Sequence, residues 1–335
     1  MIIHVTDATH AGQARRHAAH LADEAKLGTT EGGSLAIVVT EMATNLLKHA
    51  GNGTLVVEAV TRNGSSGVRI LALDKGPGIR DLSGALRDGF STAGSPGSGL
   101  GAMKRLSHDF DIYTAPGLGT AVLSEFWPGR KISHHFSPID VGVISVPIKG
   151  EEVCGDGWGV KKAPDSMLFM VVDGLGHGIL AAEAAREAER IFALPGSDSP
   201  TPILQDSHDS LKKTRGAAMA VSALQLDRQL VSFAGVGNIG TSIVGTETSR
   251  GMASHNGTVG HHLQRIQEFT LPWNADSILV MHSDGLKSGW DLKRYPGIWS
   301  KHPALIAGML YRDFSRERDD VTVLIAKNRL EASAT

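Results

Sequence analysis

A break in the apolar pattern divides this chain into two parts that follow different periodicities. Residues 127–138, with the sequence WPGRKISHHFSP, contain two prolines and no regular spacing of apolar side chains, which is typical of a linker. The chain of 335 residues also exceeds the usual size of one domain, because single hydrophobic cores stop growing beyond about 250–300 residues. We therefore predict domains at 1–127 and 139–329, joined by a linker at 128–138.

Ahead of the linker, apolar residues at helical spacing alternate with short strand-like runs. Helices are predicted over 10–26, 33–50 and 101–108. Strands are predicted over 2–5, 54–61, 67–73, 110–114 and 120–126. This order is typical of an α+β fold in which helices cover one face of a sheet.

Beyond the linker, strand-like runs dominate the sequence. They occupy residues 140–147, 166–172, 217–226, 229–234, 277–282 and 321–326. Helical patterns interrupt them at 178–192 and 303–314. The second part is therefore expected to form a β-rich core covered by helices.

Charge and cysteine content argue against several classes of protein. The formal net charge of −2 gives no overall field suited to nucleic acid or an anionic membrane. Cys154 is the only cysteine, so neither an intramolecular disulfide nor a CxxC zinc site can form. No apolar run approaches the ~18 residues of a membrane span, and the first residues lack a signal-peptide pattern. We expect a cytoplasmic protein that binds neither nucleic acid nor membrane.

A first candidate site begins on the second predicted helix, where Glu41 and Asn45 lie four residues apart and share one face. Taken alone, this pair could be a solvated polar stripe. Asp74 follows a predicted strand and opens the sequence Asp-Lys-Gly-Pro-Gly, and a second glycine-rich segment leads into a helix. The glycines concerned are Gly76, Gly78, Gly97, Gly99 and Gly101.

These residue types together suit a nucleotide. Glycine lets the backbone approach a flat base or a phosphate chain, and the amides at a helix N-terminus favour phosphate. An aspartate accepts a hydrogen bond from an exocyclic amino group, and an asparagine oxygen suits Mg²⁺. Each glycine cluster alone could be only a turn. In combination they provide candidate partners for base, metal and phosphates.

The order Glu-x-x-x-Asn, Asp-x-Gly-x-Gly and glycine-rich lid resembles the GHKL ATPase family. Within that family, the run from Asp74 to Phe110 is similar to the switch-type serine protein kinases and anti-sigma factors of bacterial stress regulation. The resemblance implies that residues 1–127 form a histidine-kinase-like α/β sandwich that binds ATP. It assigns Asn45 to Mg²⁺ and Asp74 to adenine.

The same resemblance gives roles to the remaining candidates of the first site. Gly76 and Gly78 would line the base pocket. Gly97, Gly99 and Gly101 would wrap the phosphates. Glu41 takes the family's general-base position, from which a carboxylate can orient a serine or threonine hydroxyl for in-line attack on the γ-phosphate.

A second candidate site is indicated by acidic residues that follow or precede strands in the second part, namely Asp156, Asp173, Asp284 and the pair Asp319-Asp320. A single carboxylate at a strand end is most often a turn former. Several that converge repel one another unless divalent cations are bound, and oxygen ligands favour Mg²⁺ or Mn²⁺ over zinc. Because two such ions can activate a water for in-line attack on phosphorus, the pattern predicts phosphomonoester hydrolysis.

Residues 138–328 resemble the SpoIIE-like branch of the metal-dependent PPM phosphatases. The resemblance implies an α-β-β-α sandwich as the second domain. It assigns the metal to Asp156, Asp173, the carbonyl of Gly174, Asp284 and Asp319, with Asp320 as the alternative to Asp319. Asp156 and Asp173 are expected to serve catalysis as well.

Together the two resemblances predict a bifunctional regulator that uses ATP, Mg²⁺ and Mn²⁺. Its first domain would phosphorylate a serine or threonine of a STAS-type partner, and its second would remove such phosphates, in contact with a sigma factor or a stressosome complex. In an alternative, the first domain is a non-catalytic, ATP-dependent anti-sigma or partner-binding module that sequesters a sigma factor or partner switch, and only the phosphatase is active. A metabolic enzyme with a carboxylate metal centre would leave the first site unused. The ligand types do not distinguish Mn²⁺ from Mg²⁺.

Overall fold

The computed structural model describes residues 1–62, 64–87, 99–129, 137–196, 198–263 and 265–329. By their contacts, the residues form two compact units. The first contains Met1–Ser137 together with Lys293–Arg312, and the second contains Pro138–Leu292 and the chain from Asp313 onward. Within the described residues, no helix has the length and apolar character needed to cross a membrane.

The first unit is built on an antiparallel sheet of five strands in the order β1-β2-β3-β5-β4. Its strands are β1 (Ile2–Val5), β2 (Gly53–Arg62), β3 (Ser65–Leu73), β4 (Asp109–Thr114) and β5 (Thr120–Phe126). Its helices from the first part of the chain are α1 (Thr9–Glu24), α2 (Thr29–Asn45), the short α3 (Leu82–Ala85) and α4 (Gly99–Leu106).

Helices α1 and α2 cover one face of this sheet because their apolar residues recur at helical spacing. Ala14, Ala18 and Leu21 of α1 are buried. They pack in one core with alternate residues of β3, Val68 and Ile70 among them. Since neighbouring side chains of a strand point to opposite faces, the strand residues between these point away from the helices.

The opposite face of the sheet is covered by a segment from the far end of the chain. In β4, Asp111 and Tyr113 point away from the helix-covered face. The backbone N–H of His302 donates to Asp111 Oδ2 at 2.7 Å, and the ring of Tyr295 meets that of Tyr113 at 6.0 Å, edge to face. The segment Lys293–Arg312 therefore belongs to the first unit.

The second unit contains two antiparallel sheets of five strands, in the orders β13-β10-β9-β8-β7 and β12-β11-β14-β15-β6. The strands of the first sheet are β7 (Asp156–Lys162), β8 (Met167–Gly174), β9 (Ala217–Gln225), β10 (Leu230–Val236) and β13 (Phe269–Pro272). Those of the second sheet are β6 (Ile139–Val146), β11 (Gly240–Val244), β12 (Ser249–Met252), β14 (Ile278–His282) and β15 (Val321–Asn328). The helices are α5 (Ile179–Ala193) and α6 (Pro200–Ser210), and α7 (Pro303–Phe314) begins in the segment that packs in the first unit.

Strand β8 shows why its sequence is a continuous apolar run rather than an alternating one. Leu168 and Met170 pack in one core with residues of α5 and α6. Phe169 and Val171 point the other way, into the core that also contains residues of the second sheet. A strand that is buried on both faces needs apolar side chains at every position, and this burial places Asp173 at the end of a rigid strand.

The predicted mixed fold is confirmed: in the first part helices cover one face of a sheet, and the second part is β-rich with helices packed on it. The second predicted helix differs in detail, because its regular α-helix ends at Asn45 and a π-helical turn, Leu46–Ala50, follows. Helix α6 was not predicted, since Pro200 and Pro202 and several polar residues hide its apolar spacing. The predicted linker at 128–138 lies largely outside the described residues, and the predicted domain bounds remain a prediction.

Candidate active sites

The first site is centred on α2, which presents Glu41 and Asn45 from one face while Leu35, Val39 and Met42 are buried in the core. Both polar residues are half-buried. A β-carbon placed on Gly99, the first residue of α4, would lie 3.5 Å from Glu41 Oε2 and 3.8 Å from Asn45 Oδ1. The carboxylate, the amide and the N-terminus of α4 therefore meet in one place.

A π-helical turn follows Asn45 directly and changes the direction of the next side chains. His49 lies on this turn and is exposed. Its charge lowers the pKa of Asp74, whereas the larger effect, burial, raises it. Such turns are uncommon and often occur at functional sites, and this one brings His49 towards Asp74 rather than in line with Glu41 and Asn45.

Asp74 is held by the backbone around it. Its Oδ1 accepts hydrogen bonds from the N–H of Gly76 at 2.7 Å and of Thr120 at 3.1 Å. Gly78 has a φ of +73°, and a β-carbon there would lie 2.1 Å from the carbonyl oxygen of Ala115. Only glycine fits that position, so the turn that carries Asp74 is fixed in shape.

The predicted phosphate-binding glycines are described only in part. Gly97 lies outside the described residues. Gly99 begins α4, and Gly101 is buried within that helix. Of these glycines, Gly99 rather than Gly101 lies beside the polar face of α2.

Sequence analysis missed one residue at this site because it lies far away in the chain. Arg312 of α7 donates from Nη1 to the main-chain carbonyl oxygen of Asp74 at 2.7 Å. Its charge also lowers the pKa of the Asp74 carboxyl, against the larger effect of burial. No local pattern connects positions 74 and 312, so only the packing of Lys293–Arg312 in the first unit shows this contact.

The second site is built on the pairing of β7 with β8. Asp156 is the first residue of β7 and lies directly opposite Asp173 near the end of β8. Opposed residues of antiparallel strands have Cα atoms about 4.5–5.5 Å apart. The register therefore holds the two carboxylates side by side at one end of the sheet.

Asp156 is buried, and neither of its carboxylate oxygens has a hydrogen-bond partner of good geometry among the described residues. Burial raises its pKa, and the charge of Asp320 raises it further, whereas the nearby hydroxyls of Ser283 and Thr322 lower it. The pKa of Asp173 is raised by burial first and then by repulsion from the other acidic residues. Two buried, mutually repelling carboxylates need a cation or a proton.

Asp284 and Asp319 come from the second sheet of the unit. Because β14 and β15 are antiparallel, the end of one meets the start of the other. Burial and the neighbouring Asp319 raise the pKa of Asp284, and Arg316 lowers it. Asn238 Nδ2 donates to Asp284 Oδ2 at 2.7 Å and orients it. Asn238 was not predicted as a site residue, although its place after a glycine at the end of a strand is a turn signal.

Asp320 differs from its neighbour Asp319. Its Oδ1 accepts from the N–H of Ile148 at 2.7 Å and its Oδ2 from the N–H of Gly155 at 2.9 Å. The residue is 3% exposed. Both oxygens are therefore used to join the loops after β6 and before β7, whereas Asp319 is only half-buried beside Asp284.

Three further residues of the second site have structural explanations. A β-carbon on Gly174 would lie 2.1 Å from the carbonyl oxygen of Ala181, so the loop after Asp173 packs tightly on α5. His177 is exposed and its Nδ1 pairs with Glu151 Oε1 at 2.8 Å. Burial and the charge of Asp156 raise the pKa of the Cys154 thiol to about 12, which makes it a poor nucleophile at neutral pH.

The second site fits divalent metal ions by the chemistry of its donors. Its side-chain donors are carboxylate oxygens. The two oxygens of Asp156, which are buried without a hydrogen-bond partner among the described residues, are suited to bind a cation. In the part of the chain that the structure describes, no three His, Cys, Asp or Glu side chains already surround a single ion position. Mg²⁺ commonly keeps several waters and takes only one or two carboxylates from the protein.

Comparison with known proteins finds relatives of both parts of the chain. Residues 5–124 match the model of the histidine kinase-like ATPase domain, and residues 163–329 match that of stage II sporulation protein E. The serine/threonine-protein kinase RsbT of Bacillus subtilis (strain 168) is 36% identical over 114 residues, which are 34% of this chain and 86% of RsbT. The phosphoserine phosphatase RsbX of the same organism is 22% identical over 142 residues, 41% of this chain and 70% of RsbX.

Among solved structures, one similar chain comes from work on the bacterial stressosome as a modular system adapted to control secondary messenger signalling. It is 26% identical, with a TM-score of 0.52, and the match covers 57% of this chain and all of that chain. The relatives therefore agree with a kinase-like part followed by a phosphatase-like part. Through its first domain this chain belongs to the family of the RsbT kinase, and it joins that histidine kinase-like ATPase domain to a phosphatase domain of the SpoIIE type.

Proposed function

We propose that this protein is a bifunctional partner-switching regulator in bacterial stress or sigma-factor signalling. With ATP, the first domain phosphorylates a serine or threonine of a STAS-type partner protein. The second domain hydrolyses phosphoserine or phosphothreonine with Mg²⁺ or Mn²⁺. The observation that carries the proposal is the presence in one chain of both polar clusters, one around Glu41 and Asn45 and the other around Asp156 and Asp173.

The kinase activity is supported by the position of Glu41. Its carboxylate lies beside Asn45 and the start of α4, where phosphate is favoured by the helix N-terminus. A carboxylate in this place can accept the proton of a substrate hydroxyl as the hydroxyl attacks the γ-phosphate. A module that only binds nucleotide has no need of such a base. Asn45 would hold Mg²⁺, and Asp74 would accept from the adenine amino group.

The phosphatase activity is supported by the carboxylates of the second site. Asp156, Asp173, Asp284 and Asp319 would hold the metal ions together with the carbonyl of Gly174, and the ions would supply a water activated for attack on phosphorus. The hydrogen bonds of Asp320 to two backbone N–H groups favour Asp319 as the ligand. Asn238 keeps the Asp284 carboxylate in place.

A partner of the STAS type is proposed because of the relatives. RsbT is a serine/threonine-protein kinase, and the similar solved chain comes from work on the bacterial stressosome. RsbX, a phosphoserine phosphatase, resembles the second domain. One chain with both activities could add a phosphate to a partner and remove it again, and a sigma factor or a stressosome complex would be the wider setting.

The proposal is tested with the Asp173→Asn variant, in which any phosphorylated product survives. The variant is incubated with γ-labelled ATP and a STAS-type protein encoded beside this one, and the labelled residue is identified. Labelled serine or threonine that is released when wild-type protein and Mn²⁺ are added would support both activities. Tight ATP binding without label would instead favour the alternative in which the first domain is a binding module.

A matched control comes from the same hairpin. Asp165 lies in the turn between β7 and β8, at the end opposite to Asp173, and is exposed. The Asp165→Asn variant removes the same charge without touching the carboxylate cluster. It is expected to release the label as the wild-type protein does, and loss of release in this variant would contradict the assigned site.

A further inference from the structure

The chain that follows Asp173 exposes large apolar side chains beside the second site. Leu175, Ile179 and Leu180 are 43%, 64% and 48% exposed. The two residues that follow in the same helix, Ala181 and Ala182, are buried by contrast. Isolated exposed apolar residues are common, but a contiguous group typically marks a surface that binds another molecule.

Arg215 adds a positive charge to this surface. Among the described residues its side chain has no hydrogen-bond or ion-pair partner, and it is exposed. Its Nη1 lies 2.9 Å from the place that a β-carbon of Gly176 would take. The N–H of Leu175 donates to the carbonyl oxygen of Gly216 at 3.0 Å and joins the two loops. The guanidinium therefore lies next to the loop that carries Asp173.

Gly176 makes room for this arginine. Its φ is +92°, in the region that other residues rarely adopt, and a β-carbon there would lie 2.9 Å from the end of the guanidinium, which would have to shift. Arginine binds phosphate oxygens through two parallel N–H groups. With the proposed metal ions bound, a guanidinium beside the carboxylates would add to the attraction of a dianionic phosphate ester.

We propose that Leu175, Ile179, Leu180 and Arg215 form the docking surface for a phosphorylated segment of the protein substrate. Arg215 binds the phosphate, and the three apolar side chains bind apolar residues that flank the phosphoserine. This assignment rests on the proposed phosphatase activity and adds to it a preference for one class of sequence. Charge complementarity between Arg215 and the phosphate determines which ligand fits, because an unphosphorylated apolar segment leaves the arginine without a partner.

The test uses two synthetic phosphoserine peptides that differ only in having leucine or serine on both sides of the phosphoserine. The full-length protein with Mn²⁺ is expected to hydrolyse the leucine-flanked peptide with a kcat/KM about tenfold higher. The double variant I179S/L180S is expected to lose this preference. Leu194, which is 47% exposed at the other end of α5, provides the control, and Leu194→Ser is expected to keep it.

Arg215 is tested separately through phosphate itself. The Arg215→Ala variant is expected to raise the inhibition constant of inorganic phosphate about tenfold, and Arg215→Lys to recover part of that loss. A thermal melt of each variant shows whether the fold is intact, since a structural role would lower the melting temperature instead.

The outcomes separate the docking surface from the phosphatase activity itself. Equal hydrolysis of both peptides by the wild-type protein, or a preference that survives in I179S/L180S, would overturn the docking surface and leave the proposed phosphatase intact. An unchanged phosphate inhibition constant in Arg215→Ala would remove Arg215 from the surface. If neither peptide nor p-nitrophenyl phosphate is hydrolysed, the proposed function itself fails.

Discussion

The neighbouring residues Asp319 and Asp320 are expected to respond to mutation in opposite ways. Asp320 accepts two backbone N–H groups, from Ile148 and Gly155, and is almost fully buried. Hydrogen bonds to a charged group contribute about 1.5–3 kcal/mol each, so Asp320→Ala is expected to cost about 3–6 kcal/mol in the free energy of unfolding. The N–H of Gly155 would be left buried without this acceptor, and that of Ile148 would be left partly buried.

Asp319 makes a much smaller contribution to folding. It is half-buried, and its Oδ1 accepts the N–H of its neighbour Asp320 at 3.0 Å, a bond within the same turn of chain. Its removal also relieves repulsion at Asp284. Asp319→Ala is therefore expected to change the free energy of unfolding by no more than about 1 kcal/mol, while phosphatase turnover falls sharply because a proposed metal ligand is gone.

Thermal and urea unfolding of the full-length variants in EDTA measure this difference, with hydrolysis of p-nitrophenyl phosphate as the activity assay. For a unit of this size, a loss of 1 kcal/mol lowers the melting temperature by about 2–4 °C, so the melting transition of the second unit should fall by roughly 10 °C in Asp320→Ala. A variant of Asp320 that melts like the wild type and loses only activity would refute this assignment and make Asp320 the ligand.

Three further predictions concern the two sites. Asn45→Ala is expected to weaken Mg-ATP binding about tenfold or more without changing phosphatase turnover, as measured by calorimetry and ester hydrolysis; equal affinity would count against the first site. Arg312→Ala removes the hydrogen bond to the Asp74 carbonyl oxygen, and we expect it to weaken ADP binding several-fold, as measured with a fluorescent ADP analogue. An unchanged affinity for the analogue would show that this contact does not support the nucleotide site. Since burial raises the pKa values of Asp156 and Asp173, the metal-free fold keeps protons that the unfolded chain has released. Its stability in EDTA should therefore fall as the pH rises above about 4 and through neutrality, and Mn²⁺ should restore it with release of protons. The dependence of the free energy of unfolding on pH should be weaker in Asp173→Asn. A stability that rises with pH would contradict the assignment of the raised pKa values to burial.

Much of the secondary structure could be predicted because it depends on local spacing. The strands Ile2–Val5 and Thr120–Phe126 and the helix Pro303–Phe314 begin and end where their apolar patterns predict. Helix α6 shows the limit of this approach, because its prolines stand at the first turn, where they are tolerated, yet resemble a loop signal. The ends of elements also depend on packing, as the π-helical turn after Asn45 illustrates.

The sequence by itself determined which residue types were available for chemistry and near which strand or helix they lie. Glu41 and Asn45 share a helix face through the period of the α-helix, and Asp173 and Asp284 stand where strands of apolar residues stop. These relations involve residues close in the chain, so spacing alone indicates them.

Only the tertiary structure decided which distant residues meet. Strand register places Asp156 opposite Asp173, and hydrogen bonds from Ile148 and Gly155 give Asp320 a role different from that of Asp319. Arg312 reaches Asp74 because a late segment covers the free face of the first sheet. Such contacts depend on how whole apolar faces pack in three dimensions, and no local period records that choice.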